Sequence, residues 1–232
     1  MFEFIRLERT MCYGTCPVYS VQVDKYGNIN YFGEAFVYKN GEHQWKISKK
    51  KVEQLNDLIE NFGFKSFIYG PGKEFITDQP SCIKTVKYPD DEIKEIDHYL
   101  GHILLDEDLI LFEKRIERIL GTKKYVNPRL YIYQIKDINS EPSIMFIVIS
   151  SSEKEAIDLI EKEYDNQKGL EWQANKIGVA TDDYYGPTIV MKNNEGIAWI
   201  FATLIQASLK MKKVFESTKD RCYDLVNQYR EE

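Results

Sequence analysis

Short runs in which apolar and polar residues strictly alternate constrain this chain more than any other feature. Glu3 to Arg9 (Glu-Phe-Ile-Arg-Leu-Glu-Arg) is one such run. Val18 to Asp24 is another: Tyr19, Val21 and Val23 fall on one face, Gln22 and Asp24 on the other. A period of two is the signature of a strand with one wet face. Lys25-Tyr26-Gly27-Asn28 supplies residues that tolerate positive φ, which predicts a hairpin to Ile29–Phe32. Asn40-Gly41 predicts a second turn, between Ala35–Tyr38 and His43–Ile47. The result is a β-meander with one apolar face that needs a cover.

Helices can supply that cover. After Ser48, a plausible N-cap, Val52, Leu55, Leu58, Ile59 and Phe62 recur at three- and four-residue spacing up to Gly63. Two more strands are expected at Ser81–Tyr88 and Glu92–Tyr99. Asp106 then caps a helix carrying Leu109, Phe112, Ile116, Ile119 and Leu120, ending at Gly121. Periodicity breaks over residues 121–129, where Asn127-Pro128 marks a boundary. Beyond it, strands are expected at Leu130–Ile135, Ile144–Ile149, Glu171–Ala180 and Thr188–Met191. A helix starts near Ser150-Ser151-Ser152, and Ala198–Tyr229 reads as one or two helices, with Trp199–Ile205 alternatively a strand. The fold class is α+β: two small domains, residues 1–124 and 125–232, mainly antiparallel sheets covered by helices on one face.

Charge narrows the function. Against 31 Lys and Arg stand 37 Asp and Glu, a net charge of −6, which is not the basic stripe of a nucleic-acid binder. No run approaches eighteen uncharged apolar residues, so no membrane partner is expected. Glu3, Arg6, Glu8 and Arg9 interrupt any signal-peptide core, so the expected compartment is the cytoplasm, with Cys12, Cys16, Cys82 and Cys222 as thiols. The chain is rich in tyrosine, 16 in all, a residue suited to binding surfaces.

Assignable chemistry is sparse. There is no Gly-x-Ser-x-Gly elbow, no phosphate-binding Gly-x-x-x-x-Gly-Lys-Ser/Thr loop and no His-Glu-x-x-His. Cys12 and Cys16 are separated by three residues, Tyr13-Gly14-Thr15, and followed by Pro17, with Arg9 nearby. The segment reads in three ways: two small buried side chains locking a strand-to-strand turn, a redox or disulfide pair, or half a metal site. Flanking Tyr13, Pro17 and Val18 favour buried, reduced thiols. Zinc would need four ligands, and His98 and His102 do not share a helical face. No metal and no cofactor are expected. In the second half Asp182-Asp183-Tyr184-Tyr185 forms a polar loop with two adjacent aromatics, a candidate binding loop.

The stretch Arg9-Thr10-Met11-Cys12-Tyr13-Gly14-Thr15-Cys16-Pro17-Val18-Tyr19 resembles the opening signature of a bacterial family, domain of unknown function 6438. The likeness continues through Gly27, Thr77-Asp78, the Lys94–Gly101 segment with Tyr99, and Gly121-Thr122, covering roughly residues 3–126. It implies a small α/β domain and no established activity. The expected function is a non-catalytic module binding another protein or a small ligand, an immunity or anti-toxin role being one form of it. The alternatives are a thiol-based redox or enzymatic activity centred on Cys12 and Cys16, and a structural or oligomerisation module.

Overall fold

The computed structural model describes residues 1–139, 144–163, 170–180 and 185–193. Among these residues, ten strands and four helices run in the order β1 (Phe4–Arg9), β2 (Val18–Asp24), β3 (Asn28–Ala35), β4 (Gly41–Lys46), α1 (Lys49–Phe62), β5 (Ser81–Lys87), β6 (Ile93–Tyr99), α2 (Glu107–Leu120), α3 (Lys123–Val126), β7 (Tyr131–Asp137), β8 (Met145–Ser150), α4 (Glu153–Glu163), β9 (Trp172–Val179) and β10 (Thr188–Asn193). The first six strands make one antiparallel sheet, ordered β4-β3-β2-β1-β5-β6; the other four make a second, ordered β10-β8-β7-β9. The α+β class stands.

The period-two patterns set the faces. Ile5 and Leu7, then Tyr19, Val21 and Val23, then Ile29 and Tyr31 are all buried, and α1 and α2 lie over them with Val52, Leu55, Ile59, Leu109, Phe112 and Ile116. Burying that apolar stripe, at about 25 cal/mol per Å², is what holds helices to sheet. The helix ends follow the sequence cues. Asp106 accepts from the Leu109 backbone N–H at 2.9 Å, and Gly63 and Gly121 end α1 and α2 in the left-handed conformation. Ser48 occupies the N-cap position of α1 without a side-chain cap bond.

Two local expectations need correction. The β3–β4 turn is not at Asn40-Gly41: β3 runs on to Ala35, Phe36 takes φ 54°, and residues 36–40 form the connection. Residues 121–129 are not wholly irregular, because Lys123–Val126 coils into α3. From there Tyr125 stacks on Trp45 with ring centroids 4.3 Å apart. The residue 36–40 connection also meets the second sheet. Tyr38 is buried with Leu130 and Ile149, and its hydroxyl donates to Glu155 at 2.6 Å. Residues Ala198–Tyr229 lie outside the described residues. Among the described residues, no helix is long and apolar enough to cross a membrane.

Candidate functional site

A polar row crosses the buried face of the first sheet. Register places Tyr19 opposite Arg9, Arg9 opposite Cys82, and Cys82 opposite His98, so four strands each contribute one residue. Lys84, two residues along β5, shares the face. These positions carry the apolar phase of their strands elsewhere, where Ile5, Leu7, Val21 and Val86 sit. Helix α2 covers the row and answers it with two carboxylates one turn apart, Glu113 and Glu117.

The charged groups are closely paired, while the second ring nitrogen of His98, Nε2, is buried with no hydrogen-bond partner among the described residues. Glu113 accepts from Lys84 Nζ at 2.6 Å, from His98 Nδ1 at 2.7 Å and from Arg9 Nη1 at 3.3 Å. Glu117 accepts from Arg9 Nε at 3.0 Å and from the Tyr19 hydroxyl at 2.5 Å. Lys84 also donates to the Cys82 carbonyl at 3.0 Å. Lys84 and His98 are fully buried and Glu113 is 1% exposed. Two cations thus face two carboxylates, the arrangement a low-dielectric interior requires.

Burial and pairing work against each other here. Burial raises the Glu113 carboxyl, but the His98 hydrogen bond and the charges of Lys84 and Arg9 outweigh it and hold the group below the usual glutamate range. Burial alone would also lower Arg9; Cys82, Glu117, Tyr19 and Glu113 around it reverse that and keep the guanidinium charged. The Cys82 thiol and the Tyr19 phenol are pushed well up, chiefly by burial. Cys82, His98 and Glu113 supply the residue types of a nucleophile, a base and its orienting acid, yet the sulfur is buried and protonated at neutral pH. A thiol in that state is a poor nucleophile.

Against the outer end of this row lies a cavity of about 640 Å³. It is lined by Arg9, Cys16, Pro17 and Tyr19, by Pro80 and Leu100, and by α2 and the turn into α3 through Lys114, Arg118, Thr122, Lys123 and Asn127. The walls are mostly apolar.

The sequence-predicted residues divide. Arg9 belongs to the buried network, whereas Cys12 to Pro17 form a loop whose last two residues, Cys16 and Pro17, line the cavity. Cys12 and Cys16 are joined as a disulfide with Cα atoms 5.8 Å apart, and both are partly exposed. The expectation of buried thiols is therefore corrected: the loop projects past the strand ends, and Tyr13, held at its backbone by the Asp78 carbonyl at 3.0 Å, is 94% exposed. Gly14 and Thr15 are exposed as well. Asp182, Asp183 and Tyr184 lie outside the described residues; Tyr185 is half-exposed and edge-on to Phe36 at 5.7 Å. Among the described residues no three His, Cys, Asp or Glu side chains gather as a metal-binding group. Sequence reasoning missed Tyr19, Lys84, His98, Glu113 and Glu117. The available signal was a charged residue in the buried phase: Lys84 between Cys82 and Val86, Glu113 between Phe112 and Ile116.

Residues 3–120 match the family described as Domain of unknown function (DUF6438). No curated protein and no solved structure matches the chain.

Proposed function

Given that the chain belongs to the DUF6438 family, whose description carries no activity, we propose from the site itself that it is a non-catalytic module binding a small ligand in the cavity bordered by the Cys12–Cys16 loop. The cavity carries this reading. Its volume of about 640 Å³ falls within the roughly 300–1,000 Å³ of small-molecule sites, and its apolar walls with a few polar groups are what such sites use. The network behind it supports a binding role over a catalytic one. Its charged groups are paired with each other, Cys82 is buried and protonated, and the other two described cysteines are bonded together.

The test is a thermal-shift screen of chemically diverse small molecules against the full chain and the Asn127→Trp variant. Asn127 is exposed on the cavity rim, so the indole obstructs the mouth without replacing a core side chain. Compounds that stabilise the parent but not the variant support the reading. Hits that all survive the substitution, or no hits at all, remove it.

The exposure of the bridge favours a second reading, in which Cys12 and Cys16 exchange with small thiols of the glutathione class. A cytoplasmic setting fits only this version, because an inert structural disulfide does not normally persist among reducing thiols.

A further inference from the structure

We infer that the cavity selects a ligand joining a small anionic head to an apolar body, of which a medium-chain carboxylate is the simplest form; this rests on the cavity being the binding site. The chain carries a net charge of −6, yet Lys114, Arg118 and Lys123 all line this cavity. None of the three forms an ion pair among the described residues. The one carboxylate in the lining, Glu117, is already engaged by Arg9 at 2.9 Å and by Tyr19. An entering ligand therefore meets three uncompensated positive charges and no free negative one. Arg118 and Lys123 also complement the negative end of the α2 dipole, but Lys114 lies two turns inside the helix, where that account does not reach. Low-dielectric walls concentrate the field of these cations into the opening. Below them Pro17, Pro80, Leu100 and Val126 offer surface that only an apolar body desolvates with profit.

The experiment is isothermal titration of the full chain with three probes of equal chain length: decanoate, decanol and decyltrimethylammonium, each below its micelle concentration. Decanoate should bind at least tenfold tighter than decanol, and the ammonium weakest. Asn127→Trp should weaken decanoate at least tenfold, and the double variant Arg118→Glu with Lys123→Glu should abolish the preference over decanol. Pro17→Trp, also exposed in the lining, repeats the obstruction test if either variant melts below the parent. Equal binding of decanoate and decanol overturns the anionic selectivity while leaving the cavity as a site. Absence of decanoate binding overturns the inference, whatever the broader screen returns. Decanoate binding untouched by both obstructing variants overturns it together with the cavity reading.

Discussion

Lys84 of β5 and Glu113 of α2 form an ion pair of 2.6 Å at 0% and 1% side-chain exposure, clamping the helix to the sheet through charge at the centre of an apolar interface. Removing one partner leaves the other buried without its counter-charge, whereas removing both takes the pair away together, leaving His98 and Arg9 without Glu113 in either case. We expect Lys84→Met and Glu113→Leu each to cost about 3–5 kcal/mol. The double variant should lose far less than the sum. Chemical denaturation of the four chains closes this cycle; additive losses would mean that the pair is not coupled.

The fold was legible because the alternation in β1, β2 and β5 is unbroken in phase, and because Asp106, Gly63 and Gly121 mark helix ends by local chemistry. The site was not. Arg9 keeps the phase of Ile5 and Leu7, and Glu113 falls inside the stripe of Leu109, Phe112 and Ile116, but a single polar residue in an apolar phase states only that it must find a partner. Which partner depends on β5 pairing with β1 across 72 residues of chain, with Arg9 opposite Cys82 and Lys84 opposite Leu7. Short-range patterns hold no record of that pairing. Burial of the Cys12–Cys16 loop failed for a related reason: apolar neighbours in sequence do not bury a segment that extends beyond its strands.

Stability should fall at both ends of the pH scale, for different groups. Glu113 is held below its ordinary value of 4.5, so its contribution is present above that pH and is lost as pH falls through the lower folded value. Cys82 is raised above its ordinary 9.0, so its neutral form stabilises the fold below pH 9 and that contribution is lost as pH rises beyond it. Melting temperatures across pH 2–11 check both limbs. Glu113→Gln should flatten the acid limb and Cys82→Ala the alkaline one, Tyr19 still contributing above its ordinary 10.0.

Reduction of the bridge should be felt mainly in the loop. It closes a short ring, the bonded cysteines being four positions apart in sequence, so the loop-closure argument gives about 2 kcal/mol. Alkylation with mass spectrometry should find Cys12 and Cys16 protected in native protein until reductant is added, then rapidly modified. Buried Cys82 should react only on unfolding. Free Cys12 and Cys16 thiols in protein purified without reductant would contradict the bonded loop.

The first domain should need more chain than the boundary at residue 124 allows it. Tyr125 stacks on Trp45 at 4.3 Å and lies 5.3 Å from the Tyr31 ring, while its carbonyl accepts from the Lys39 backbone N–H at 2.8 Å. Val126 accepts from the Tyr38 N–H at 3.0 Å and packs on the same core. A fragment of residues 1–124 loses both rings' packing and both backbone bonds, and uncovers Trp45 at edge strand β4. A fragment of residues 1–129 keeps them and gives up the contacts of Tyr38 and Lys39 with Glu155, Leu130, Ile149 and Ser151 and that of Phe36 with Tyr185. An aromatic pair is worth about 0.5–1.5 kcal/mol beyond its buried area, and each backbone bond adds about 1. We therefore expect the longer fragment to exceed the shorter by about 2–4 kcal/mol in urea denaturation, with tryptophan fluorescence reporting on Trp45, the one tryptophan before residue 130. Equal stability of the two fragments would assign α3 to the second half of the chain.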